Sequence, residues 1–186
     1  MRPPGISRGR RPFFAPVWLA MIAALGAALV GVGVLRSVAT TTVIVVRHAE
    51  KQLSTIEDAP LTTEGEARAE RLAVMLGARG DALPITRVFT SEARRTQQTA
   101  APLVRRLGIA PTTLPAKEVD QLVRELRDGP SDAAAVVVGH SNTVPAVIAG
   151  LTRDRVTVKI DDDDYGSMFI VTVSTFGPPS VVRLQY

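Results

Sequence analysis

The residues best suited to chemistry follow a short apolar run. Residues 43–46 are apolar and β-branched, and Arg47 and His48 come directly after them. Such a run is typical of a strand buried on both faces of a parallel sheet, and the carboxyl ends of such strands line the ligand crevice. An arginine binds an oxyanion through two hydrogen bonds and a neutral imidazole is a nucleophile, so the pair indicates phosphoryl chemistry. The alternative is an Arg–His pair neutralised by Glu50 at a strand end.

Two further strand ends could contribute to the same site. His140 follows a run of alanines and valines, and Ser91 follows Val-Phe-Thr, with Arg94 and Arg95 one turn into the next predicted helix. Ser91 is expected to cap that helix. Two histidines and at least two arginines at one sheet edge repel one another unless an anion lies among them, so the cluster favours a phosphate site.

Segments with the periodicity of amphipathic helices lie between these predicted strands. Apolar residues recur at i, i+3, i+4 and i+7 within 69–76, 100–107 and 119–126. Two more strands are expected at 167–174 and 181–185, close enough along the chain to form an antiparallel pair. Strands that otherwise alternate with helices predict an α/β fold, a three-layer αβα sandwich with a mainly parallel sheet and helices on both faces.

The amino-terminal segment differs in composition from the rest. Four arginines in the first eleven residues account for the whole net charge of +4, so the remainder is not a basic nucleic-acid-binding domain. Residues 13–35 carry no charge and are long enough to span a bilayer as an N-terminal transmembrane helix. The predicted organisation is a basic cytoplasmic tail (1–12), a transmembrane anchor or signal segment (13–35), a linker (36–41) and a catalytic domain (42–186).

The location of the catalytic domain depends on what happens to the apolar segment. The positive-inside rule places the arginines in the cytoplasm, so a retained single-pass anchor puts the domain outside the cell or in the periplasm. Residues 37–39 resemble a signal-peptidase site, and cleavage there would give a secreted protein. The apolar run is long for a signal peptide, which favours the anchor.

The composition also limits the chemistry. The chain has no cysteine and two histidines. Disulfides and thiol catalysis are excluded, and a metal site built from histidine or cysteine is disfavoured. We therefore predict neither a metal nor a cofactor.

Four motifs, in order, give the chain a family resemblance. They are Val46-Arg47-His48-Ala49-Glu50-Lys51, Leu61-Thr62-Thr63-Glu64-Gly65, Phe89-Thr90-Ser91-Glu92-Ala93-Arg94-Arg95-Thr96-Gln97-Gln98-Thr99-Ala100 and Val138-Gly139-His140-Ser141-Asn142-Thr143. In this order and spacing they resemble the histidine phosphatase superfamily, which includes the phosphoglycerate mutases, over about residues 42–186.

The resemblance implies roles for particular residues. His48 matches the nucleophile that becomes a phosphohistidine, Arg47 and Arg95 match phosphate ligands, and His140 matches the histidine that stabilises the transferring phosphoryl group. Arg94 is expected to be a solvated helix residue. Substrate contacts are implied for Arg47, Arg95, His140 and Ser141.

The general acid that would protonate the leaving oxygen has no clear match. The family usually supplies it from the region after the second arginine, where Glu118 and Asp120 are candidates, and Asp164 in an acidic loop is a third. Glu50 and Lys51 replace the Gly-x-Ser/Asn of the mutases. An aryl phosphate or a phosphohistidine leaves with little protonation and would suit an enzyme without this acid.

The predicted function is a metal-independent phosphomonoesterase that acts through a phosphohistidine intermediate. Its substrate would be a phosphorylated small molecule or a phosphoprotein, its other partner the membrane through residues 13–35, and nucleic acid is not expected. The alternative is a non-catalytic, membrane-tethered module that binds phosphate or a phosphoprotein. A degenerate module of that kind would be expected to have lost one of the four matched residues. A mutase is disfavoured because the chain has no large cap insertion.

Overall fold

The computed structural model describes residues 17–37, 40–53, 58–77, 84–131, 133–174 and 177–186. The chain forms two compact units, residues 1–37 and residues 38–186. In the first unit, helix α1 spans Val17–Ser37, and its apolar side chains such as Trp18 and Leu25 are exposed.

The predicted transmembrane helix at 13–35 is not supported. Among the described residues, no helix has both the length and the apolar character needed to cross a membrane. Residues 13–16 lie outside the described part of the chain. The location of the catalytic domain and the fate of the segment stay predictions.

The second unit contains six strands and four helices within the described residues. Their bounds are β1 Thr40–Arg47, α2 Thr63–Leu76, β2 Ile85–Thr90, α3 Arg94–Leu107, β3 Thr112–Thr113, α4 Val119–Arg127, β4 Ala134–Gly139, α5 Thr143–Thr152, β5 Ser167–Ser174 and β6 Ser180–Gln185.

The six strands form one mixed sheet in the order β3-β2-β4-β1-β5-β6. β1, β2, β3 and β4 are mutually parallel, since β4 pairs in parallel with both β1 and β2, and β2 pairs in parallel with β3. β5 runs antiparallel to β1 and to β6. The α/β fold with a largely parallel sheet is confirmed, and so is the antiparallel pair at the end of the chain.

The two faces of the sheet are covered by different helices. Val43 and Val45 pack with residues of α4 and α5, whereas Ile44 and Val46 pack with residues of α2 and α3. Successive side chains of a strand point to opposite faces, which explains why every residue of this run is apolar. Each fully buried side chain of this size stabilises the fold by roughly 1.5–3 kcal/mol. The rigid centre of this sheet positions the strand ends that carry the polar residues.

The two-residue strand β3 was not predicted. Thr112 and Thr113 are both exposed and lie in a segment that reads as a Pro-rich loop. They pair with Phe89 and Thr90 at the edge of the sheet. Tertiary pairing, rather than any alternation of apolar residues, creates this strand.

Candidate active site

Three strand ends meet at one edge of the sheet. Arg47 lies opposite Gly139 in the parallel pair of β1 and β4, and the backbone N–H of His48 donates to the Gly139 carbonyl oxygen at 2.9 Å. β2 flanks β4 on its other side and ends next to Ser91. A cleft of about 520 Å³ opens at this edge. Its lining consists of Arg47, His48, Lys51, Arg95, Ala116, His140, Ser141, Asn142, Asp162 and Tyr165.

His48 is held with one ring nitrogen facing the backbone. Its Nδ1 lies 2.8 Å from the carbonyl oxygen of Ala49. Because a carbonyl oxygen only accepts hydrogen bonds, Nδ1 carries the proton and Nε2 keeps its lone pair. The N–H of Ala49 donates to Thr99 Oγ1 at 3.0 Å, and that hydroxyl donates to the Arg95 carbonyl oxygen at 2.7 Å. Helix α3 therefore fixes the segment that orients His48.

His140 faces His48 across the site. The ring centroids are 5.4 Å apart with an interplanar angle of 66°. Nη2 of Arg95 lies 3.3 Å from His140 Nδ1, and Ser91 Oγ lies 2.8 Å from His140 Nε2. Both nitrogens of His140 are thus engaged by residues at the end of β2 and the start of α3.

Arg47 is almost fully buried and held from two sides. Its Nη1 donates to the carbonyl oxygens of Asp161 at 3.0 Å and Asp164 at 3.4 Å, and its Cζ lies 4.2 Å from the centroid of the Tyr165 ring. Stacking of this kind fixes a guanidinium and leaves its charge available. Arg47 has no ion pair with any residue that the structure describes.

Two arginines line the cleft beside the two histidines. Nε of Arg47 and Nε of Arg95 are buried and have no hydrogen-bond partner in the described part of the chain. The Nε atoms of Arg87 and Arg127, which are outside the cleft lining, are buried without a partner as well, so this feature by itself does not identify a ligand site. Two guanidinium groups beside two histidines at one edge of the sheet form a site suited to a phosphate oxyanion.

Both histidines are neutral at pH 7. Burial lowers the pKa of His48 to about 4, aided by the charges of His140, Arg47 and Arg95, although the hydrogen bond to the Ala49 carbonyl opposes the shift. Burial and the Arg95 charge lower the pKa of His140 to about 4, with Glu92 opposing. A neutral His48 has the lone pair that a nucleophile needs.

We therefore expect both histidines to titrate near pH 4 instead of near their ordinary value of 6.5. Between pH 6.5 and pH 4 the two histidines are protonated in the unfolded chain but not in the folded chain. The free energy of unfolding therefore falls as the pH drops from 6.5 to 4. A ¹H NMR titration of the two imidazole C2 protons measures both values. A midpoint near 6.5 for either ring would contradict the burial that the structure shows.

Glu50 does not neutralise the Arg47–His48 pair. Its carboxylate accepts two hydrogen bonds from Arg68 Nε, at 2.8 and 3.0 Å, and Arg68 Nη1 also donates to the Tyr186 carbonyl oxygen at 2.8 Å. Burial raises the pKa of Glu50, but its hydrogen bonds and the Arg68 charge outweigh burial and the net shift is downward. The alternative interpretation of Glu50 as the neutralising residue is therefore wrong.

The three predicted candidates for the general acid are not in the cleft lining. Glu118 and Asp120 are exposed, at the N-cap and in the first turn of α4, and neither lines the cleft. The carboxylate of Asp164 accepts hydrogen bonds from Ser167 Oγ at 2.7 Å and Arg183 Nη2 at 2.6 Å. Burial raises the pKa of Asp164, yet these contacts lower it on balance, so the side chain holds no proton to donate near pH 7.

Sequence reasoning missed several residues near the site. Asp162 and Tyr165 line the cleft from the loop before β5, and Lys51 lines it from the segment after His48. Asp58 Oδ1 accepts the backbone N–H of Arg94 at 2.8 Å and lies 4.0 Å from Arg95 Nη1. An aromatic residue directly after four aspartates is the sequence signal that could have drawn attention to this loop.

Of the remaining predicted residues, Ser141 lines the cleft, whereas Arg94 and Ser91 do not. Ser141 lines the cleft together with Asn142, directly before α5. Arg94 is exposed and absent from the cleft lining, which agrees with its predicted solvated position. Ser91 does not cap α3, whose N-cap is Ala93, because its hydroxyl is bonded to His140.

One protein family matches the sequence of this chain. The model of the histidine phosphatase superfamily (branch 1) matches residues 43–119, which include Arg47, His48 and Arg95. A curated relative, the PE-PGRS family protein PE_PGRS11 of Mycobacterium tuberculosis, is 47% identical over 55 residues. The chain spans 9% of the length of that protein, and the aligned segment is 30% of this chain.

Solved structures share the fold. The protein histidine phosphatase SixA, in complex with tungstate, is 22% identical with a TM-score of 0.62, and the match covers 77% of this chain and 96% of that one. A mycobacterial glucosyl-3-phosphoglycerate phosphatase is 16% identical with a TM-score of 0.52, and the match covers 72% of this chain and 90% of that one. The family match over residues 43–119 supports a phosphatase, and the solved structures show that the fold is shared.

Proposed function

We propose that the protein is a metal-independent phosphomonoesterase that acts through a phosphohistidine on His48. The observation that carries this proposal is the hydrogen bond from His48 Nδ1 to the Ala49 carbonyl oxygen, which leaves the Nε2 lone pair free in a cationic cleft. Arg47 and Arg95 line the same cleft and would compensate the charge of the transferring phosphoryl group.

The reaction would have two steps. In the first, His48 Nε2 forms a bond to phosphorus and the bond from phosphorus to the leaving atom breaks. An ester oxygen that leaves takes up a proton from solvent, and a phosphohistidine leaves through its imidazole nitrogen. In the second, water attacks phosphorus, the N–P bond breaks, and inorganic phosphate leaves with His48 neutral again. Both transfers need positioning and charge compensation more than covalent activation, which is what the cleft offers.

The substrate class follows from the carboxylates of the cleft, because a general acid is needed to protonate a poor leaving group. Of the carboxylates in the described residues, only that of Asp162 lines the cleft, and Asp162 is exposed. Substrates whose leaving group departs with little protonation, such as aryl phosphates and phosphohistidine, therefore suit the site best. The fold shared with SixA, a protein histidine phosphatase, also supports a phosphohistidine protein as substrate.

The experiment that tests the function is a turnover assay on the full chain. Release of p-nitrophenol from p-nitrophenyl phosphate and of phosphate from a phosphohistidine peptide is expected, with serine phosphate esters turned over more slowly. Faster turnover of the serine ester would overturn the substrate preference. Tight phosphate binding without any turnover would favour the non-catalytic binding module.

Catalysis is expected to be independent of divalent metal. No group of three or more potential metal ligands occurs in the part of the chain that the structure describes. One ring nitrogen of each histidine is hydrogen-bonded within the protein, to the Ala49 carbonyl oxygen and to Ser91 Oγ. Arginine side chains supply the positive charge that a metal would otherwise provide. Activity measured after dialysis against EDTA should equal the starting activity, and vanadate should inhibit by mimicking five-coordinate phosphorus. Loss of activity in EDTA that one divalent metal restores would refute the prediction.

A further inference from the structure

Ser91 joins His140 to a buried chain of hydroxyl groups. Its Oγ lies 2.8 Å from His140 Nε2 and 3.0 Å from Thr96 Oγ1, and it accepts the backbone N–H of Ala93 at 3.2 Å. Ser91 is 5% exposed and Thr96 is fully buried. Water is therefore a poor substitute for any partner in this chain.

The direction of each hydrogen bond in this series follows from the groups at its two ends, Arg95 and Thr96. At one end, Arg95 can only donate, so His140 Nδ1 accepts and the ring proton lies on Nε2. The Nε2–H therefore donates to Ser91 Oγ. At the other end, Thr96 Oγ1 donates to the Ala93 carbonyl oxygen at 2.7 Å, so the Ser91 hydroxyl donates to Thr96. The Thr96 hydroxyl also lies 3.1 Å from the Ser91 carbonyl oxygen, so each proton in this series of hydrogen bonds has an acceptor.

We propose that Ser91 is a positioning residue that fixes the ring orientation and the Nε2–H tautomer of His140. The Nδ1 atom then lies beside Arg95. Protonation of this nitrogen when a phosphate anion binds would give the ring an N–H that donates to the phosphoryl group. The catalytic consequence of this role rests on the proposed phosphatase function. The Ser91 hydroxyl also accepts from Nε2–H when the ring is protonated, so the orientation persists in both charge states.

Replacement of Ser91 would remove the acceptor and leave a buried N–H without a partner. A buried N–H without an acceptor destabilises the folded state, so the imidazole ring would turn or change tautomer to find another acceptor. The Nδ1 atom would then leave the position beside Arg95. The expected result is a loss of kcat for p-nitrophenyl phosphate of at least roughly tenfold, with a smaller change in KM.

The test uses ¹⁵N-histidine NMR on the full chain, which is simple because the chain has two histidines. In the parent, His140 should show a protonated Nε2 and an unprotonated Nδ1, and His48 should show the opposite pattern. In Ser91→Ala the His140 signals should move toward tautomer averaging while the His48 signals stay. Ser91→Thr, which keeps the hydroxyl, should restore both the parent spectrum and kcat.

The matched control is Thr90→Val, which removes a buried hydroxyl bonded to Thr113 instead of to a histidine. It should leave the histidine spectrum and the turnover unchanged. A parent spectrum with the proton on His140 Nδ1 would overturn the proposal even if Ser91→Ala does not fold. So would a Ser91→Ala spectrum identical to the parent. If the parent has the expected tautomer but turns over no phosphate ester, the phosphatase function fails and the positioning role stands.

Discussion

Replacement of His48 by alanine is expected to abolish phosphate-ester turnover while the fold remains. The side chain supplies the only nitrogen of the cleft whose lone pair is not engaged by a protein donor among the described residues. Without it no N–P bond forms, and the loss of kcat should be on the order of a thousandfold or more, as for other enzymes that lose their nucleophile. Steady-state hydrolysis of p-nitrophenyl phosphate measures the effect.

A second variant separates chemistry from structure at this position. In His48→Asn the side-chain amide keeps an N–H that can donate to the Ala49 carbonyl oxygen, but it has no nucleophilic nitrogen. Both variants should show the parent circular dichroism spectrum, and both should be inactive. Turnover in either variant at the parent rate would remove His48 from the mechanism.

Replacement of Arg95 by alanine is expected to lower kcat by roughly a hundredfold to a thousandfold. Its guanidinium lies in the cleft, contacts His140 Nδ1 and has a buried Nε without a described partner. The charge is in place before the reaction starts, so its removal costs transition-state stabilisation that solvent cannot replace. His140→Ala should have an effect of similar size.

The adjacent arginine provides the control. Arg94→Ala removes the same charge one residue away, from a side chain that is exposed and outside the cleft lining. Its kcat and KM for p-nitrophenyl phosphate should stay within about twofold of the parent, since exposed charges contribute little. Equal losses in the two variants would mean that net charge, and not the geometry of Arg95, drives catalysis.

The strand ends could be predicted because their signals are local. A continuous apolar run identifies β1 as a buried strand, and Arg47 and His48 follow it directly. The same reasoning applies to β4 and His140. Parallel pairing then brings the ends together without any knowledge of side-chain contacts.

The contacts of the acidic loop could not be predicted because they join residues remote in sequence. Arg47 meets the carbonyl oxygens of Asp161 and Asp164 more than a hundred residues farther along the chain, and Tyr165 packs on its guanidinium. The loop lies outside any helix or strand and so has no periodicity to read. In the same way, the sequence does not show that the carboxylate of Asp164 is bonded to Arg183.

Ser91 illustrates a third kind of limit. A serine before a predicted helix is normally interpreted as an N-cap, and the pattern is a good one. Here Ala93 holds that position, and the serine hydroxyl lies within hydrogen-bond distance of a histidine 49 residues away. Local preference gave a reasonable but wrong role because the partner comes from another strand.

The central claim is that the phosphoryl group is transferred to His48, and rapid labelling stopped with an alkaline quench tests it most directly. The full chain is mixed with ³²P-labelled phosphohistidine peptide, quenched within milliseconds, and divided between acid and base treatment before peptide mapping. The predicted result is a phosphoenzyme that is labile in acid, stable in base, located on the peptide containing His48, and missing in His48→Asn. Label that is stable in acid, label on another peptide, or turnover without any labelled protein would contradict the claim.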